Sequence, residues 1–125
     1  MEESAKPKTL DEKRVEFFFM ISKLVVRASI HDIDLMPIAF LMTAEEVNRY
    51  FKEGKSQLDG YKKISPHQIW LAIDFVVVKD GKIIWNRTSE YELLGGIWEE
   101  IGGVWGGRWK SLNDIYHFQY GEPGK

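Results

Sequence analysis

The chain contains no cysteine among its 125 residues, which excludes disulfide staples, thiolate metal sites and cysteine nucleophiles together. It also lacks a charge excess. Seventeen Lys plus Arg against nineteen Asp plus Glu leave a formal charge of -2, so no global field of one sign draws in nucleic acid or an anionic membrane. Long hydrophobic runs are missing: Phe17 to Ile21 is too short, and too closely followed by Lys23 and Arg27, for stable membrane insertion. No apolar stretch with a small-residue cleavage site follows Met1, so no signal peptide is expected. Internal repeats and low-complexity tracts are absent, which disfavours a solenoid. The length fits a single domain that buries roughly two-thirds of its unfolded surface.

What is present divides readily. Residues 1–10, charged and interrupted by Pro7, read as a flexible arm; 11–120 form the domain; 121–125 read as a flexible tail. Apolar residues at mixed three and four spacings predict a helix over 11–30, with His31 at its exit. A short extended piece is expected through Ile38, Phe40 and Leu41 after Pro37. Thr43 followed by Glu46 is a capping-box pattern, and Gly54 ends the helix it starts. Residues 54–65 read as a loop. A β-branched run over 71–78, then Asp80-Gly81, then 82–85, predicts a hairpin. Residues 90–101 have helical spacing with a glycine stop at Gly102-Gly103, and 117–120 suggest a last short strand. The fold class is α+β, with N-terminal helices packed on a small, mainly antiparallel sheet.

One position breaks the apolar pattern. In a strand over 72–78, Asp74 shares a face with Ala72, Val76 and Val78, while Ile73, Phe75 and Val77 face the other way. A carboxylate in such a run needs a partner, and a bound cation is one. His67 lies seven positions earlier, an odd separation that forbids a shared face on one regular strand. Pro66 favours a turn from which His67 can lean over the strand's start. His117 is the best third ligand, and two imidazoles plus one carboxylate suit zinc with a position left open for water. Asp114, three residues before His117, is the candidate proton carrier. On spacing alone, hydrogen-bonded structural roles for these side chains stand ahead of metal ligation. His31 reads as a helix-end group. Trp98 reads as core, while Trp105 and Trp109 divide evenly between core and a substrate-stacking surface. Gly106-Gly107 and Lys110-Ser111 lack the spacing of a phosphate-binding loop, and no nucleic-acid-binding fold is discernible.

The order of motifs adds a resemblance. Ser65-Pro66-His67, then Leu71-Ala72-Ile73-Asp74, then Gly102 to Trp109, Asp114 and His117-Phe118 resemble the zinc D-Ala-D-Ala carboxypeptidase and L-alanyl-D-glutamate endopeptidase family of bacterial wall enzymes and phage endolysins. Thr43 to Glu46, Tyr50-Phe51 and Gly54-Lys55-Ser56 resemble its upstream helix and the segment after it. The resemblance implies zinc on His67, Asp74 and His117, catalysis through Asp114, and Ser65 beside the substrate. It implies hydrolysis of amide bonds in peptidoglycan stem peptides, by an enzyme that stays cytoplasmic until released to the wall. Met42 departs from the pattern, because many relatives carry there an arginine that binds or polarises the substrate. Val47 occupies a position often held by glutamine. Methionine has no comparable donor, and losing one oriented donor costs roughly 2.7–4 kcal/mol of transition-state stabilisation. Arg108, in the glycine-tryptophan segment, is the expected substitute, with Trp109 beside it at the substrate. The alternative is a non-catalytic wall-binding or phage structural protein that keeps the metal site.

Overall fold

A threonine with a glutamate three positions later starts each of the first two helices. Thr9 Oγ1 accepts from the Glu12 N–H and Glu12 accepts from the Thr9 N–H, opening α1 (Leu10–Ile30). Thr43 and Glu46 repeat the arrangement at α2 (Ala44–Lys52), where it was expected. The computed structural model describes residues 6–121. Residues 1–5 and 122–125, within the expected arm and tail, lie outside the described residues. His31 caps α1 and is exposed, in its expected role.

The strands are β1 (Asp34–Ala39), β2 (Ala72–Lys79), β3 (Lys82–Ile84), β4 (Val104–Trp105) and β5 (His117–Gln119), joined in one antiparallel sheet of order β1-β2-β5-β4. β3 continues the β5 flank of β2, pairing with Val77–Lys79 while β5 pairs with Ala72–Asp74. The expected hairpin is present: Asp80 and Gly81 both take positive φ, 53° and 76°, the conformation of a two-residue turn matched to strand twist. β1 begins before Pro37 rather than after it. That strand is an edge, so the missing N–H of Pro37 leaves no ladder bond unmade, and the register slips between Pro37 and Ala39.

The core forms on one face of β2. Ile73, Phe75 and Val77 meet Phe17, Leu24 and Ala28 of α1, together with Tyr91, Leu94 and Trp98 of α3 (Ser89–Ile101). Burying each large apolar side chain contributes about 1.5–3 kcal/mol relative to exposure. The layer beside α1 is thus α3, whereas α2 lies on the cavity side through Val47. Trp98 is core, as expected, edge-on to Phe17 and Phe118. Trp105 is core too: its Nε1–H donates to the Ile115 carbonyl at 2.9 Å, and a Cβ on Gly95 would stand 2.1 Å from its ring. Among the described residues no helix is long and apolar enough to cross a membrane.

Candidate metal centre and cavity

The sheet register places two of the three expected ligands. Asp74 of β2 lies directly opposite His117 of β5, so both side chains project from the same face, with His117 Nδ1 at 3.3 Å from Asp74 Oδ1. His67 arrives from a one-turn 3-10 helix (Pro66–Ile69) just before β2, tighter than the loop expected there. Ser65 caps this turn by accepting from the His67 N–H. Trp70 then adopts a left-handed φ of 66°, and the Leu71 N–H closes on the Pro66 carbonyl at 2.9 Å. The reversal swings the imidazole over the strand's start, with Nε2 at 3.1 Å from the same Asp74 oxygen. A seven-residue separation is therefore compatible with one site because the intervening chain is not extended.

Hydrogen bonds behind the histidines fix which nitrogen faces inward. His67 Nδ1–H donates to the Phe40 carbonyl at 2.8 Å, and His117 Nε2–H donates to Gln119 Oε1 at 2.8 Å. In their neutral forms both rings then present a bare lone pair towards a carboxylate oxygen. Three acceptors converge with no proton between them, an arrangement that demands a proton or a cation. Burial alone pulls His67 down, but the Asp74 bond and charge, the Phe40 carbonyl and Asp114 together hold it above the ordinary imidazole range. Burial pushes Asp74 up, and the hydrogen bonds from His117 and His67 overcome this to hold it below the ordinary carboxylate range. Two imidazole nitrogens and one carboxylate oxygen, all within 4.8 Å of one another, form a donor set suited to a divalent cation. Ligands about 2.0–2.2 Å from a tetrahedral ion stand roughly 3.3–3.6 Å apart, close to the two Asp74 distances.

Asp114 comes to the same cavity. Its N–H bonds the Gly106 carbonyl at 3.0 Å and its carboxylate accepts from the Tyr116 N–H, folding 106–114 back onto the start of β5. Gly106 permits this closeness, since a Cβ there would lie 2.6 Å from the Asp114 carbonyl. Burial first, and the charge of Asp74 second, hold the Asp114 carboxyl above its ordinary range, against the pull of His117. The cavity has a volume of about 790 Å³, within the range of small-molecule sites. Ser65 lines it although its hydroxyl also caps the His67 turn. Trp109 lines it as well, its ring 4.9 Å from that of His117.

Arg108 is not brought there. Its guanidinium holds Glu99 of α3 through two nitrogens and lies over Trp105 at 5.0 Å, outside the cavity lining. The second 3-10 turn (Gly106–Arg108) separates it from Trp109, sending neighbouring side chains to opposite sides. Arg87 also lies over Trp105, bonding Asn113 and the Gly107 carbonyl. Met42 and Val47 do line the cavity, so the unusual residues of the sequence stand at the site. Its cationic lining consists of Lys55 and Lys110. Sequence reasoning missed Gln119 and Lys110 as site residues. Gln119 carried a signal, two positions after His117 and hence on the same strand face.

A family model described as D-alanyl-D-alanine carboxypeptidase matches residues 59–120, which include all four clustered residues. The peptidoglycan L-alanyl-D-glutamate endopeptidase CwlK of Bacillus subtilis (strain 168) is 29% identical over 101 residues, 70% of this chain and 60% of that protein. The chain thus spans about three-fifths of the length of the curated relative it matches. The Serratia marcescens L-Ala D-Glu endopeptidase ChiX superposes with a TM-score of 0.70 at 20% identity, over 85% of this chain and 78% of that one. The vancomycin resistance D,D-pentapeptidase VanY, solved in complex with Zn(II), gives 0.56 at 17% identity, over 85% and 71%. These two likenesses are of fold.

Proposed function

We propose that this chain, whose residues 59–120 match the D-alanyl-D-alanine carboxypeptidase family model, is a member of that family and hydrolyses amide bonds in peptidoglycan stem peptides, as an endopeptidase or a D,D-carboxypeptidase dependent on zinc. One observation carries this reading: three inward-facing acceptor atoms, on His67, Asp74 and His117, line the same cavity as the Asp114 carboxyl, and that cavity is large enough for a peptide. A zinc ion held by that triad supplies Lewis acidity, polarising a carbonyl and acidifying water. Asp114 takes the proton of the attacking water and delivers it to the leaving amine; its raised pKa brings it nearer to the poise such shuttling needs. Phe40 and Gln119 keep the two imidazoles turned with their lone pairs inward. Lys110, and Lys55 whose ammonium pairs with Glu53 at 3.2 Å, supply the positive charge that Met42 does not, towards a substrate carbonyl or carboxylate, and Trp109 with Ser65 bounds the peptide beside them. The site of action is the cell wall, as for a phage endolysin.

Met42 favours a second reading, in which the metal site persists without cutting. Both readings meet one experiment. Purified peptidoglycan is incubated with freshly zinc-loaded protein, with and without chelator, and the products are weighed by mass spectrometry. Zinc-dependent appearance of new amine and carboxyl termini is expected, and their masses distinguish internal from terminal cleavage. No release by folded, metal-loaded protein rejects hydrolysis and leaves the non-catalytic reading.

A further inference from the structure

Helix α1 is apolar on both sides. Phe17, Met20, Leu24 and Ala28 fill the core, yet Val15, Phe18, Phe19, Val25, Val26 and Ile30 are exposed, from 42% at Val25 to 72% at Ile30. Their spacing of three, four and seven gathers them on the solvent face. Together they expose roughly 600 Å² of apolar surface, the upper end of what a monomer ordinarily shows. Hydrophobicity all round a helix belongs to one that is covered on all sides. The polar residues of this face do not ask for water either. Ser22 Oγ donates to the Phe18 carbonyl at 3.0 Å and Ser29 Oγ to the Val26 carbonyl at 2.7 Å, so both hydroxyls are turned back on their own helix.

We propose that this face is the interface of a two-fold homodimer, in which α1 packs antiparallel against α1 of a second copy. The patch runs from Val15 to Ile30 and its midpoint falls at Ser22, a small residue on the same face that lets two helices approach. Charge along the helix is self-complementary in this direction only. Asp11, Glu12 and Glu16 outnumber Lys13 and Arg14 in the first half, where Arg14 is half-buried and holds Asp11 and the Ile69 carbonyl; Lys23 and Arg27 occupy the second, which has no acidic residue. Antiparallel pairing sets each acidic half beside a basic one and opposes the helix dipoles, whereas parallel pairing aligns like with like. The exposed area is about three-quarters of the roughly 800 Å² that each partner contributes to a standard interface. No α1 residue lines the metal-site cavity, so both sites stay open in the dimer.

The absence of cysteine makes the test clean. Single variants Ser22→Cys, Val15→Cys and Ile30→Cys are oxidised in the full chain, alone and in mixtures. Ser22→Cys crosslinks to itself, Val15→Cys and Ile30→Cys crosslink to each other far more than to themselves, and sedimentation gives twice the monomer mass. Phe19→Glu sediments as a monomer with unchanged circular dichroism and unchanged zinc binding per chain. Self-crosslinking of all three variants overturns the antiparallel arrangement. A wild-type monomer at every concentration, without a Ser22→Cys crosslink, overturns the dimer. So does wild-type protein that stays monomeric in buffer and cosediments with phosphatidylcholine-phosphatidylglycerol vesicles.

Discussion

Along β2, Ile73, Phe75 and Val77 enter the helical core, whereas Asp74, one residue away, enters the cavity between His67 and His117. The first set needs nothing beyond the protein: each side chain leaves water for close-packed neighbours, and the gain is non-directional. The second is incomplete by its own electrostatics, because inward lone pairs and a carboxylate repel unless a proton or a cation lies among them. A rigid apolar face holds the strand, and the uncomfortable face inherits that rigidity. Stability and ligand demand are thereby separated by a single pleat.

Variants on the two faces should separate in kind. On the cavity face, Asp114→Asn is expected to lower the cleavage rate by about 10²- to 10⁴-fold through loss of proton transfer, with zinc affinity and melting temperature nearly unchanged. Equal cleavage by this variant would remove Asp114 from the chemistry. On the core face, Phe75→Ala, at a position 4% exposed, should cost about 3–5 kcal/mol in urea unfolding while zinc affinity of the folded fraction is kept. Behind the site, Gln119→Leu removes the acceptor that orients His117 and should weaken zinc binding by about 10- to 100-fold, measured by competition with a chelator.

The pH dependence of the metal-free protein sharpens the contrast further. His67 is raised, so its contribution to stability is fully present below the ordinary imidazole pKa of about 6.5 and is lost as pH rises through its folded value. Asp74 is lowered, so its contribution is present above the ordinary carboxylate range and lost as pH falls through its folded value. The raised Asp114 opposes Asp74, its contribution being lost as pH rises, and is best removed with Asp114→Asn. In that variant, denaturant midpoints should fall on both sides of a plateau between the two ranges. Zinc should abolish the alkaline decline and release a proton on binding, detected by calorimetry in two buffers. A decline of equal size with zinc bound would contradict the assignment to His67. The smallest effect is expected from Arg108→Ala: a stability change within about 1 kcal/mol, because its ion pair with Glu99 is exposed, and no change in turnover. Loss of turnover would return Arg108 to the cavity.

Much of the fold is written in local signals. Thr43 with Glu46, Asp80-Gly81 and the glycine stop at Gly102 each encode a backbone geometry that the structure adopts. Thr9 with Glu12 carries the same capping signal, yet charge and Pro7 made that region read as part of an arm. The Asp74 anomaly was legible because one charge in a β-branched run contradicts its neighbours. Arg108 misled because nearness in sequence does not set direction: a 3-10 turn sends it to α3 and Trp109 to the cavity.

By itself the sequence determined which side chains had to find partners: Asp74 by its place in an apolar strand, and His67 by the turn that Pro66 starts. Only the tertiary structure decided the partners, since the opposition of Asp74 to His117 rests on the register of two strands 43 residues apart, a pairing fixed by packing around Phe75 and Phe118. It alone turned both imidazoles inward, through Phe40 and Gln119. The reason is physical: turns and caps are satisfied within a few residues, whereas converging lone pairs require distant backbone to be held still.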